Sequence, residues 1–424
     1  MLWDVCEEHL SEGTWRWTQW EGALRAPDFS LVDAAAMEEW VHANVAGLRA
    51  GGERVRGELL VPSLEEEDPS LVGVTVLAMV EDGTPAEEIR WLVRSAAGPV
   101  QHAGVKRALQ VSEARDVGGA LAPLLRADDD EVLAVTLETL AFRGEVPQGV
   151  LGDFLGHPDA RLHVAALRSP EVLSERGQPR LSQAMASAHP EVRLAALEMG
   201  LASGMREAWK VCQTALDSGV HGREAGVLWA LGGGEEDLAL LLERLRSPER
   251  RADALWALGF SGWATAAEAC LEWLEDGKVG RLAGEAFEAI TGLRLEGGYA
   301  LPFEALPPVD EDAAELDVTL HAEDFLPWPA AEAVRGWWKQ SRGRFVGGTR
   351  YLYGHPYSGG ALWAALERGP MRRRHVWAQE LVLRTRGTCR VATLAFVNRQ
   401  RSDLEAVRAT CSRLRMDPLV KSLR

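Results

Sequence analysis

A turn followed by an apolar helix returns about every thirty residues along this chain. His157-Pro158-Asp159-Ala160-Arg161-Leu162, His189-Pro190-Glu191-Val192-Arg193-Leu194 and Ser247-Pro248-Glu249-Arg250-Arg251-Ala252 are three copies of it. With the proline as phase marker, equivalent positions fall at Pro69, Pro99, Asp130, Pro158, Pro190, Val220, Pro248 and Lys278, separated by 28 to 32 residues. A fixed period of this size is the signature of stacked supersecondary units, and it outranks any single motif in deciding the fold.

The unit has a physical basis. A capping residue followed by proline at the first helical position starts a helix with φ already set. Alanine and leucine then recur at helical spacing, as in Leu194, Ala195, Leu197, Met199 and Leu201, and a glycine such as Gly204, Gly232 or Gly259 ends the helix or admits a close neighbour. Shorter apolar segments precede the turns, at 121–125, 151–155, 181–185, 240–245 and 269–274, so each unit is expected to be a pair of antiparallel helices. One pair cannot bury both its faces, and neighbours must stack. The expected fold is all-α, an α-solenoid of about eight helical hairpins extending roughly 65 to 80 Å at 8 to 10 Å per layer.

The repeat occupies 59–295. Residues 1–58 depart from it: Trp15, Trp17 and Trp20, followed by Met37, Trp40, Val41, Val45 and Leu48 at helical spacing, predict an N-terminal helical cap of the kind solenoid ends require. These tryptophans are expected to bury against the first repeat, with an aromatic docking patch as the sharper alternative. Gly297-Gly298, Pro302, Pro307-Pro308 and Asp310-Glu311-Asp312 mark a linker over 296–325. Residues 326–424 are expected to form a small, mainly helical, Arg-rich domain with a short strand at 351–353.

Charge divides the same way. The chain carries −17 in all, but +13 from Gly336 onward and −30 before it. The basic part is expected to dock on the acidic solenoid or on an acidic protein, because a long nucleic-acid duplex would be repelled by the larger part. With 26% charged and 46% apolar residues the chain is neither disordered nor collagen-like. Apolar runs such as 71–80 fall short of the eighteen or so residues of a membrane span, and the acidic Asp4, Glu7 and Glu8 do not resemble a signal peptide. Five cysteines with no C-x-x-C pair fit a reducing compartment, so a cytoplasmic protein is expected.

The repeat resembles HEAT repeats in the short form common in bacteria, over roughly 59–293. That resemblance implies a solenoid that binds other proteins, and some bacterial relatives are lyases acting on bound chromophores. A narrower likeness spans nearly the whole chain. Glu8-His9, Gly47-Leu48-Arg49, the Ala286–Gly292 stretch, Trp337-Trp338 and the Gly-x-Arg-Tyr-Leu-x-Gly stretch from Gly348 to Gly354 are similar to segments of an uncharacterised bacterial HEAT-repeat family. Genes of that family are often found beside type VI secretion genes. This likeness implies an accessory or immunity-like role and carries over no catalytic residue.

No H-E-x-x-H, G-x-S-x-G, G-x-x-x-x-G-K-[ST] or strand-borne G-x-G-x-x-G is present, and no cofactor, metal or catalytic residue is expected. His157 and His189 precede turn prolines and are read as helix starters. Arg161, Arg193, Arg223, Arg251 and Arg281 each lie three residues after a marker, a ladder expected to fix repeat stacking, with a row of partner-binding cations as the alternative. Partner contacts are expected at Trp337, Trp338, Arg350, Tyr353, Arg372, Arg373 and Arg374. The leading expectation is a non-enzymatic scaffold or adaptor holding another protein, in the narrower version a secretion-system component or effector. One alternative is a lyase-like enzyme with a site between solenoid and terminal domain, lined by Trp337, Trp338, Arg350, Tyr353 and His355, the last as general acid or base. The other is nucleic-acid binding through Arg372, Arg373, Arg374, Arg384, Arg386 and Arg390, which the acidic balance of the chain disfavours.

Overall fold

A computed structural model describes residues 3–168, 170–173, 177–217, 220–305 and 321–424. The linker residues Pro307, Pro308, Asp310, Glu311 and Asp312 lie outside them. Among the described residues the protein is all-α, with one short β-hairpin and an isolated bridge. Among the described residues no helix is long and apolar enough to cross a membrane. Helices begin at Pro69, Pro99, Asp130, Ala160, Pro190, Gly222, Pro248 and Gly280, each on a marker position or two residues after it. Side-chain caps explain several of these starts: Asp68, Asp129 and Asp159 accept backbone N–H groups of the first turn. At Pro190 the preceding His189 makes no cap bond, so the proline alone sets the start.

The chain divides into two compact units. The first comprises Met1–Arg25, Phe29–Arg180 and Val391–Asp403, the second Ala26–Asp28, Leu181–Arg390 and Leu404–Arg424.

In the first unit α1 (Trp3–Ala23) and α2 (Leu31–Ala50) run antiparallel, as the pairs Trp20 with Glu38 and His9 with Asn44 require. A capping box between Ser30 and Asp33 opens α2. Next come α3 (Pro69–Met79), α4 (Ala86–Ser95), α5 (Pro99–Val111), α6 (Val117–Leu121), α7 (Asp130–Arg143) and α8 (Ala160–Leu167). The longer helices pack in series, α1 on α3, α3 on α5 and α5 on α7, with the short α4 and α6 beside them. Every residue from Val72 to Met79 is buried, so α3 is apolar all round, the mark of a helix covered on every side. Two of the expected second helices are only turns, Ala122–Arg126 and Leu151–Phe154, both 3₁₀. Pro123 interrupts the first, and Gly149, left-handed at φ 81°, precedes the second, which leaves too few residues for an α-helix.

After the border helix α9 (Gln178–Met185), the second unit contains α10 (Pro190–Ala202), α11 (Arg206–Ala215), α12 (Gly222–Gly232), α13 (Ala239–Arg244), α14 (Pro248–Ser261), α15 (Ala264–Cys270) and α16 (Gly280–Thr291). Again the long helices pack in series, α10 on α12, α12 on α14 and α14 on α16. They are followed by α17 (Ala331–Ser341), the hairpin β1 (Tyr351–Leu352) and β2 (His355–Pro356), α18 (Gly359–Arg368) and α19 (Met371–Arg384). Tyr351 pairs with Pro356 and Leu352 with His355, so the strand expected at 351–353 ends one residue early. Tyr353 and Gly354 both take positive φ, 48° and 75°, which is the turn chemistry a two-residue hairpin favours. The last helix, α20 (Val397–Cys411), supplies residues 397–403 to the first unit and 404–411 to the second.

Candidate functional site

The five ladder arginines all sit on first helical turns, of α8, α10, α12, α14 and α16. Arg161 meets Glu131 fork to fork, both bonds 2.8 Å, and also holds Asp159 at 2.7 Å. Arg193 donates to the carbonyls of Ser187 and Ala188, and Arg251 to that of Leu245, each in the turn before its own helix. Arg223 lies over Trp256 and pairs with Glu323 at 3.2 Å, while Arg281 lies over Trp328 and donates to the Asp324 carbonyl. Three of the five therefore tie a helix to the turn that launches it, and two tie it to the 321–328 segment.

The basic C-terminal part does something that the sequence does not disclose. Arg350 donates to the carbonyls of Ser261 and Phe260, Arg373 to that of Gly259, and Arg384 to that of Leu231. These are the last carbonyls of α14 and α12, which have no intrahelical partner and form the negative ends of the helix dipoles. Backbone N–H groups treat α16 alike: Tyr353 and Gly354 donate to Ala289 and Ile290 at 2.8 and 3.0 Å. In the second unit the positive segment thus terminates the helices that the repeat begins. Gly259 makes this possible, because a Cβ there would stand 2.9 Å from the Arg373 Nη2 and 3.0 Å from the Ala286 Cα.

All seven residues expected at a partner surface belong to this second unit, and most are interior. Arg350, Arg372, Arg373 and Arg374 are buried, Arg373 being 1% exposed. Arg372 pairs with Glu323 at 2.9 Å and Glu285 at 3.4 Å beneath Trp256, and Arg374 donates to Leu366 at the end of α18. Glu380, also buried, accepts from Arg350, Arg384 and the Tyr357 hydroxyl. Burial pushes the Tyr357 hydroxyl up and the Arg350 guanidinium down, and brings Arg374 to about 10. Trp338 is buried against Phe287 and Phe345, and half-buried Trp337 stands edge-on to Phe287. Tyr353 stands edge-on to Trp377 with its hydroxyl enclosed and pushed up by burial, whereas His355 is exposed on β2. Arg372, Arg373, Arg374 and Arg384 thus have partners within the second unit.

Within each unit, stretches singled out in the sequence also meet in space. His9 packs on Gly47, where a Cβ would lie 2.5 Å from its ring, and Arg49 donates to Leu77, Ala78 and Val80 at the end of α3. In the second unit the 348–354 stretch bonds to the 286–292 stretch through Tyr353 and Gly354. Each quoted segment thus has a packing role.

Two further features could receive a ligand. Helices α9 to α12 border an open cleft of about 220 Å³ with apolar walls from Met185, Leu194, Leu197, Val211 and Val220, and with Arg193 and His221 as its basic groups. On the first unit, Trp15 and Trp40 are 51% and 56% exposed while Trp17 and Trp20 are buried. The Arg16 guanidinium lies 4.4 Å from the Trp15 ring and 4.9 Å from the Trp40 ring, and its Nε donates to Glu12 at 2.8 Å. The sequence could have shown this split: at 100° per residue Trp15 points about 200° away from Trp17. The cleft has no comparable signal, because its walls come from four separate helices.

One buried acid also went unmarked in the sequence. Glu38, 5% exposed, accepts the Trp20 indole N–H at 2.9 Å and the Val397 N–H with both oxygens, at 3.0 and 2.8 Å. Burial outweighs these bonds and pushes its carboxyl up to about 7. Among the described residues no three His, Cys, Asp or Glu side chains are grouped as metal ligands would be.

No family model and no curated protein matches this chain. Among solved structures, two engineered proteins from the Northeast Structural Genomics Consortium are similar to it. One is 19% identical, with a TM-score of 0.30 over 57% of this chain and 80% of its own. The other is 22% identical, with a TM-score of 0.21 over 54% of this chain and 94% of its own.

Proposed function

We propose that this protein is a non-enzymatic scaffold, a HEAT-like α-solenoid of about eight hairpins between a helical cap and a basic terminal domain, and that it holds another protein. The observation that carries this reading is the pair of half-exposed indoles, Trp15 and Trp40, with Arg16 between them. Tryptophan and arginine dominate the energetic centres of protein interfaces, and two large aromatic faces left in water gain most from a partner that covers them. The serial packing of long helices within each unit supports the solenoid part of the reading. In its narrower form, supported by the family likeness, the partner is a type VI secretion component or effector and the protein is cytoplasmic.

Affinity capture with the full chain and with W15A/W40A, from the native cell at low and moderate salt, tests the reading. A stoichiometric protein recovered by the wild type and lost from the double variant is the expected result. Recovery that ignores the two substitutions, or no recovery at all, refutes it. Co-expression with neighbouring gene products tests the narrower form, which fails if no complex co-purifies.

A further inference from the structure

We propose that the Trp15, Arg16 and Trp40 surface receives an Arg- or Lys-rich segment of a protein partner, whose cationic side chains lie on the indole faces beside flanking carboxylates. The inference rests on the scaffold reading and adds the chemistry of the partner. The surface already shows its preference, since the cation it holds is its own: Arg16 stacks on both rings at 4.4 and 4.9 Å. That guanidinium is fixed from the side by Glu12 at 2.8 Å and Gln19 at 3.4 Å.

The charge around the rings points the same way. Residues 1–50 hold nine carboxylates against three arginines. Helical spacing sets Glu12 and Glu8 three and seven residues before Trp15 along its own face, and Glu39 adjoins Trp40 in sequence, with Glu8 and Glu39 both exposed. Glu12 already has Arg16, but an apolar or acidic partner would cover Glu8 and Glu39 without pairing them, an unfavourable burial that a basic segment avoids. Steering by the net −17 of the chain adds to the attraction but is screened by salt, whereas the contact with the indole faces is short-range and persists.

The test uses the full chain and a fluorescein-labelled Arg-Gly-Ser repeat peptide, with its citrulline counterpart as the neutral control, in anisotropy titrations at low and moderate salt. The arginine peptide is expected to bind and the citrulline peptide not. W15A/W40A is expected to bind about tenfold more weakly at moderate salt, as the loss of two cation–π contacts implies, with an unchanged far-UV circular dichroism spectrum. Equal affinity of variant and wild type would reduce the effect to net charge and overturn the proposal. So would tighter binding of a neutral Pro-rich peptide, or self-association of the wild type that the variant abolishes. If capture yields an indole-dependent protein but the peptide ignores the indoles, the scaffold reading stands and this one falls. If the peptide binds through the indoles and capture yields nothing, the preference of the surface for cations stands while the scaffold reading, and with it the protein partner, falls.

Discussion

Replacing Arg373 distinguishes a guanidinium that holds the second unit together from one offered to a partner. Its Nη2 donates to the Gly259 carbonyl at 2.8 Å, a charge-assisted bond of about 1.5 to 3 kcal/mol. The guanidinium lies 3.9 Å from the Phe260 ring centroid in a dry environment, a contact of about 2 kcal/mol. It also stands 3.7 Å from Glu285, which would keep only Arg372 if Arg373 were lost. The desolvation cost of the buried cation offsets part of this sum, so R373A is expected to destabilise by about 3 to 5 kcal/mol, the range for breaking a buried ion network on one side. R373M keeps most of the stem packing and is expected to cost about half as much. Because the two units need not unfold together, urea unfolding should be followed both by tryptophan fluorescence and by hydrogen exchange of the amides in α14 and α19. A loss below about 1 kcal/mol, with those amides equally protected, would refute the interior role derived from this geometry.

Glu38 supplies a pH prediction. A carboxyl raised to about 7 binds its proton more tightly in the folded than in the unfolded protein, so its contribution is present at acid pH and is lost as pH rises from about 4.5 to about 7. Relative to E38Q, which does not titrate, the wild type is expected to lose roughly 3 kcal/mol of stability across that window. Hydrogen exchange of amides in 391–403 at successive pH values reads this loss, and parallel profiles for the two proteins would contradict it. Cysteine chemistry gives another check. Cys6, Cys212, Cys270 and Cys411 are buried and Cys389 is half-buried, and burial pushes the Cys270 and Cys411 thiols to about 12 and 11. A thiol reagent on the native protein is therefore expected to label Cys389 first, and mass mapping that finds Cys212 or Cys270 modified as fast would show the second unit to be looser than described.

What could be read in advance was local. A proline at the first helical position fixes φ and an Asp cap supplies a hydrogen bond within a few residues, so the helix starts at Pro69, Pro99, Asp130, Pro190 and Pro248 were visible in the chain itself. The run Arg372 to Arg374 was not, because three consecutive arginines look like a solvated surface until the carbonyl that Arg373 meets arrives from 114 residues away. The same applies to Tyr353, whose left-handed φ and enclosed hydroxyl follow from the end of α16 and from Trp377, not from its neighbours in sequence. Trp15 is an intermediate case, since helical periodicity alone separates it from Trp17 although composition groups them together.

The discontinuous make-up of the first unit has a consequence for biosynthesis. Phe396 covers Trp20 and His42, and Val397 bonds Glu38 across 359 residues of chain. A ribosome adding about 5 to 20 residues per second finishes α2 roughly 20 to 70 s before it delivers that segment. Throughout this interval the nascent N-terminal helices expose an indole and an uncompensated acid that the finished protein conceals. Chaperones or premature aggregation would therefore find their opening there, at helices made hundreds of residues before the segment that closes them.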